Sequence, residues 1–209
     1  MPKIVDQDER RRDIAQAVWT IIARSGLKGA TIRKVADECE MSVGSIQHYF
    51  KNQNELYQFS MDLMIQRASE RMNNLGEYEP ENGAAAVQHV IQMLQQMLPL
   101  DQERHTEAQT WLVFSAEAVS NKELQEMQEE MNLLIRNACQ GCLAYLKSQN
   151  VLVAEIEVEY ETERLYALID GLALHLVFRS KGEGRDEMQE VLSKHVSSLV
   201  KQSVFKKGE

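Results

Sequence analysis

The sequence predicts an all-α chain in which three short helices and a longer connecting helix precede a larger helical part. Two observations carry that expectation. Leu, Ala, Glu, Gln and Met recur at three- and four-residue spacing through most of the 209 residues, and only three prolines and ten glycines interrupt them. No stretch alternates apolar and polar residues as a half-buried strand would.

The first helix is expected from about Asp8 to Ser25, because Ile14, Ala17, Val18, Ile21 and Ile22 repeat at i, i+3, i+4, i+7 and i+8 and make one buried stripe. Gly26 ends it. Thr31 is placed to N-cap a short second helix whose Ile32, Val35, Ala36 and Cys39 share a face, and Ser42 to cap a third. In the third, Val43, Ile46 and Phe50, at i, i+3 and i+7, are expected to point inward. That leaves Gly44, Ser45, Gln47, His48 and Lys51 outside, with Tyr49 near the boundary. Asn54 and Glu55 open a fourth helix through about Asn73. The stretch GEYEPENG, Gly76 to Gly83, has the composition of a loop and marks a candidate domain boundary. Further helices are expected near Ala84–Met97, Glu103–Val119, Lys122–Ser148, Glu157–Arg179 and Arg185–Lys201, divided by Pro99, Asn121, the Asn150 region and the Lys181–Gly184 turn. The resulting division is residues 1–53 and 54–209, with 54–73 as the connecting helix.

A formal net charge of −9 weighs against nucleic acid until it is divided along the chain. Residues 1–60 hold nine Lys/Arg and eight Asp/Glu, a balance of +1, while the remainder holds fourteen and twenty-four, a balance of −10. The acidity therefore belongs to the C-terminal part, where a solvated surface accounts for it. No run approaches the ~18 apolar residues of a membrane span, and the N-terminus lacks an apolar stretch with a small-residue cleavage site. The cytoplasm is the expected location. Cys39, Cys139 and Cys142 are too few for a disulfide framework and suit a reducing compartment.

Three short helices followed by a connecting helix have a physical use. The second braces on the phosphate backbone, and the third lays polar side chains into a major groove ~12 Å wide. The outer face fits such a groove, since Gly44 and Ser45 are small enough for close approach and Gln47 can pair bidentately with adenine. His48, Tyr49 and Lys51 can reach phosphates or bases. The alternatives are a helical pair packed for stability alone, or a ligand-binding or protein-interaction module whose DNA surface is vestigial. Arg10, Arg11 and Arg12 read either as a solvated run or as an arm that touches phosphate.

The order Thr31…Val35-Ala36…Ser42-Val43-Gly44-Ser45-Ile46…Tyr49-Phe50-Lys51-Asn52…Glu55-Leu56 resembles the N-terminal motif of the TetR family of bacterial transcriptional regulators. The triplet His48–Phe50 and the stretch Ile169-Asp170-Gly171-Leu172 look most like its BetI-type branch, which includes regulators of choline-to-betaine metabolism. The resemblance implies an N-terminal helix-turn-helix DNA-binding domain joined to a helical ligand-binding and dimerisation domain. It implies a homodimeric repressor of a palindromic operator on double-stranded DNA, released by a small-molecule effector. It also assigns roles: Thr31 to phosphate, Arg33 to a position from which some members reach a base, Ser42, Ser45, Gln47, His48 and Tyr49 to the reading surface, and Lys51 to phosphate. Three departures stand out. Glu40 replaces the usual turn glycine, Gln47 a frequent tyrosine, and Gln53 a common phosphate-binding lysine. The last removes one positive charge from the duplex interface.

Two reading units held together gain affinity and a two-fold symmetric site. Leu165, Leu168, Ile169, Leu172, Leu176 and Val177, then Met188, Val191, Leu192, Val196 and Leu199, form two apolar stripes. One core can absorb a side of each; the family resemblance implies a four-helix dimer interface within residues 157–201. Between the Gly76 loop and Glu157, Met93, Met97, Trp111, Phe114, Met127, Met131 and Tyr145 are expected on inward faces, which suits either an ordinary core or an adaptable cavity. Effector-lining candidates are Met93, Met97, Trp111, Phe114, Met131, Tyr166, Asp170 and His175. Asp170, on an apolar face, must find a core partner, water or a ligand cation. A quaternary ammonium ligand would want an aromatic cage, and with aromatics at 6% no cluster is legible.

Cys139-Gln-Gly-Cys142 invites a redox or metal reading, but lies inside a helical run without a second pair or a nearby histidine, so both thiols read as small buried groups. No phosphate-cradling glycine loop, HExxH or nucleophile motif is present. Neither catalysis, a metal nor a cofactor is expected.

Overall fold

The computed structural model describes residues 7–75, 79–179 and 182–205; residues 76–78 of the expected loop and Lys181 of the expected turn lie outside them. Nine α-helices follow one another among the described residues: α1 (Gln7–Ser25), α2 (Ile32–Glu38), α3 (Val43–Tyr49), α4 (Gln53–Asn73), α5 (Gly83–Gln95), α6 (Gln102–Ala118), α7 (Lys122–Ser148), α8 (Val158–Phe178) and α9 (Arg185–Ser198). No strand forms among them; Leu152 and Val200 make one isolated antiparallel bridge. The chain packs as two compact units. One joins the residues up to Arg67 with Gln109–Met131, the other Ala68–Ala108 with the residues from Asn132 onward. Packing thus divides the chain elsewhere than at 53/54, because the second half of α6 and the start of α7 supply Phe114, Ala118, Leu124 and Met131 to the core beneath the short helices.

In the first unit the stripe of α1 is buried as Ile14, Val18, Ile21 and Ile22, and it meets Val35 and Ala36 of α2, Ile46 of α3, and Phe50. Polar pins fix the elements against one another. The Trp19 indole donates to the Ser60 carbonyl at 3.1 Å, and the Tyr57 hydroxyl donates to the Leu27 carbonyl at 2.9 Å. Gln53 Nε2 donates to the Ala30 carbonyl at 2.6 Å and to the Tyr57 hydroxyl. Where the family often has a lysine for phosphate, this chain therefore has an internal strut from α4 to the turn before α2.

The second unit has its own core, in which α9 packs on both α5 and α8. Leu165, Ile169, Leu172 and Leu176 of α8 and Leu192 and Val196 of α9 are buried there, with Val87, Val90, Ile91 and Leu94 of α5. Most of the two stripes expected to serve an interface is consumed within one chain. Val191, Tyr160 and Phe178 remain exposed on the same two helices. Arg71 and the buried Glu107 form a two-pronged ion pair, at 3.2 and 2.8 Å, that ties the end of α4 to the start of α6.

The turn between α2 and α3 resolves the question raised by Glu40. The Glu40 amide bonds to the Asp37 carbonyl at 3.3 Å and the Met41 amide to the Ala36 carbonyl at 2.9 Å, the paired bonds of a Schellman stop. Glu40 holds the left-handed position that such a stop requires, at φ 53°. A side chain there is strained by about 1–2 kcal/mol, against which glycine costs about 0.5–1 kcal/mol more chain entropy. Glu40→Gly should therefore raise stability by about 0.5–1 kcal/mol in denaturant unfolding. A loss of stability would mean that the Glu40 side chain holds the turn by contacts of its own.

Candidate nucleic-acid interface

The α3 helix has seven residues and is fixed at both ends. Ser42 caps its N-terminus by accepting the Ser45 amide at 3.0 Å, and the Ser42 and Ser45 hydroxyls bond to each other at 2.8 Å. Phe50 closes its C-terminus in extended backbone, φ −138°, with the side chain fully buried. Its ring lies 5.3 Å from that of Phe59, and the Arg11 guanidinium stands over both, at 4.8 and 4.4 Å. Arg11 is thereby an internal packing residue. Arg10 lies 3.7 Å from Asp13.

At the flanks, Thr31 caps α2 by accepting the Lys34 amide at 3.3 Å. Asn52 accepts the Glu55 amide at the start of α4 and Glu55 accepts the Lys51 amide, each at 2.9 Å, which fixes the backbone next to α3. Glu38, an acidic group on α2, is held by Arg24 at 2.7 Å.

Thr31, Arg33, Ser42, Gly44, Ser45, Gln47, His48 and Lys51 flank or line this helix, and of these Thr31, Ser42, Gly44, Ser45, Gln47, His48, Lys51 and Arg33 are all exposed. Tyr49 is half-buried against the first core, its ring edge-on to His48 at 5.5 Å. One expectation fails: Val43 does not point inward but is 40% exposed. The i to i+7 alignment with Phe50 assumes that both are helical, and Phe50 is not. Ile46 alone sets the inward direction, and Val43, about 60° away around the helix, falls on the rim. Gly44 meets nothing that requires it. An added Cβ would find only the Ser42 Oγ, at 3.9 Å.

The effector-lining candidates divide between the units. Phe114 and Met131 are buried in the first core, and Trp111 packs half-buried against it. Met93, Met97 and Tyr166 pack half-buried against the second core, and His175 is exposed. Asp170 is half-buried one turn beyond Tyr166 on α8; burial pushes its carboxyl up to about 6, opposed by a hydrogen bond from the Tyr166 hydroxyl. That hydroxyl is itself pushed up to about 12, by burial first and by the Asp170 charge second. Cys139 and Cys142 are both buried and free. Burial pushes each thiol up to about 12, so each keeps its proton at neutral pH.

Residues 14–58 match the family model described as bacterial regulatory proteins, tetR family, and residues 86–201 match that of the BetI-type transcriptional repressor C-terminal part. The chain is 32% identical over 199 residues to the HTH-type transcriptional regulator PksA of Bacillus subtilis, covering 95% of this chain and 94% of that protein. It is 27% identical to the HTH-type transcriptional regulator BetI of Serratia proteamaculans, covering 86% of each. Its fold is shared with a Rhodococcus transcriptional regulator (TM-score 0.74, 24% identity, 90% of this chain and 95% of that one). A Saccharomonospora viridis transcriptional regulator solved in complex with choline shares it too (TM-score 0.78, 21% identity, 93% and 100%). The chain belongs to the TetR family of bacterial transcriptional regulators, with a C-terminal part of the BetI type, and is a DNA-binding regulator rather than an enzyme.

Proposed function

We propose that the chain is a homodimeric repressor that reads a palindromic operator through α3 and releases it when a small molecule binds the C-terminal part. The observation that carries this reading is the exposed face of α3, whose polar side chains are free to face outward because caps and Ile46 hold the helix from behind. Thr31 and Lys51 flank that face as phosphate contacts, Arg33 holds a position from which a base can be reached, and Ser42, Gly44, Ser45, Gln47, His48 and Tyr49 form the face. Exposed Tyr160, Val191 and Phe178 on α8 and α9 support a second copy seated on residues 157–201. A DNA regulator of this kind works beside the bacterial chromosome, in the cytoplasm.

Asp170 and Tyr166 support an effector site on α8. A carboxyl half-buried on an apolar helix resists ionisation, and a ligand cation would relieve that cost. Choline in a neighbour of the same fold makes organic cations the first class to try. Met93 and Met97 of the same unit add adaptable apolar surface, with His175 as a further lining candidate. Release follows if the ligand favours a spacing of the two reading units that mismatches successive major grooves, ~34–36 Å apart. The α4 helix, which runs from one packing unit into the other, is the lever.

Duplexes selected from a random library should yield an inverted repeat, bound with an affinity that falls steeply with salt. Lys51→Ala should reduce the slope of log K against log salt by about one, uniformly across sequences. Salt-independent binding would sink the reading.

Gly44→Ala should act with opposite signs in two measurements. The helix gains about 0.5–1 kcal/mol in unfolding experiments, while operator affinity drops several-fold because the methyl group stands where the duplex must approach. Unchanged affinity would remove Gly44 from the interface.

Asp170 gives the protein a pH signature. Its folded pKa, about 6, lies above the ordinary carboxyl value of 3.8, so the folded chain holds the extra proton between them and stability falls as pH rises from about 4 to 6. Asp170→Asn should flatten that slope in melting curves. It should also abolish a cationic effector's preference for pH above 6; an effector that binds the asparagine variant equally well does not use this carboxylate.

A further inference from the structure

We propose that Val43 is a base-reading residue that packs on the 5-methyl group of a thymine, within two base pairs of the base read by Gln47. The proposal rests on α3 lying in the major groove.

Val43 is the apolar side chain that α3 leaves clearly in water: Ile46 is fully buried and Tyr49 half-buried, while Val43 keeps 40% of its surface. A lone exposed valine is ordinary by itself. Its setting singles it out. The next residue, Gly44, is a glycine that neither backbone conformation nor packing requires, so the chain carries no side chain beside Val43 although alanine would fit. The neighbouring hydroxyls are engaged, since Ser42 accepts the Ser45 amide and the two serines bond to each other. Beside these serines, Val43 offers methyl groups and Gln47 a side-chain amide to an outside partner.

In the major groove every base edge offers nitrogen or oxygen donors and acceptors, and thymine alone adds an apolar group, its 5-methyl. A branched aliphatic side chain on a groove-facing rim therefore has one complementary feature to meet. Val43 and Gln47 stand at i and i+4, on one helix face and about 6 Å apart along the axis. That is less than two base-pair steps of about 3.4 Å. A bidentate Gln47 takes adenine N6 and N7, so the methyl group and the adenine belong to one short step of each half-site.

The test uses the full chain and the duplex recovered by selection from a random library. Each thymine of a half-site is replaced in turn by deoxyuridine, which removes the methyl group and leaves the base pair. At one position the wild-type protein should lose about three- to fivefold in affinity, the value of one buried methyl group. Val43→Ala should bind the thymine and uracil duplexes there equally, with an unchanged salt slope, and Val43→Ile should keep the discrimination. That position should lie within two base pairs of the base at which Gln47→Ala relaxes preference. Wild-type indifference to every replacement overturns the proposal, as does a Val43→Ala loss that is equal on thymine and uracil duplexes; the operator reading survives either result. If selection recovers no preferred sequence, both fall.

Discussion

A helix of seven residues does not persist in water by itself, since isolated helices shorter than about 12–15 residues are marginal even with favourable sequences. The N-terminal unit is organised around holding one. Ser42 and Phe50 fix the ends of α3, Ile46 anchors its middle, and the Schellman stop at Glu40 sets the angle at which the chain enters it. Behind these lie α1 and the pins from Trp19, Tyr57 and Gln53. Because stability comes from the back, the front can be polar, glycine-containing and open. A helix that had to stabilise itself could not leave Gly44, Ser45, Gln47 and His48 on one exposed face.

The same constraint explains where two cationic positions went. Arg11 is spent on the rings of Phe50 and Phe59, the residues that lock the C-terminal end of α3. Gln53, at a position where the resemblance implies a phosphate-binding lysine, bonds to the turn before α2. On the proposed reading of α3, each leaves one counterion-releasing charge fewer on the duplex side while it braces the helix from within. Phosphate contact positions a protein on DNA and base contact specifies the site. On that proposed reading, weight shifts toward the second, in keeping with a modest balance of +1 over the first 60 residues.

What is legible in the sequence is local. The caps at Thr31 and Ser42, the stripe of α1 apart from the half-buried Ala17, and the extent of α7 follow from spacing over a few residues, and they stand in the structure as expected. The departures share a different cause. Spacing points Val43 inward only through a register that includes Phe50, a residue whose backbone has left the helix. Gln53 and Arg11 look like surface groups because their partners lie far along the chain or on another element. The contribution of α6 and α7 to the first core is likewise a long-range fact, invisible to any window of helical periodicity. At the candidate effector site, Tyr166 and Asp170 sit one turn apart and can be paired by counting, whereas their burial cannot.

The C-terminal part meets the opposite constraint. Here the apolar faces of α8 and α9 close the core of their own unit, and polar groups caught on those faces carry the chemistry that remains. On α7, Cys139 and Cys142 keep their protons at neutral pH, because burial penalises the thiolate. A carboxyl in similar surroundings stays responsive, since its ordinary value starts several units lower and burial brings it only to about 6. At neutral pH Asp170 is therefore ionised at a cost that one hydrogen bond from Tyr166 relieves in part. A cationic ligand would relieve more of it. On the proposed reading, the strain of that charge would be a source of differential binding energy, since only a ligand that binds two conformations differently can shift the balance between them.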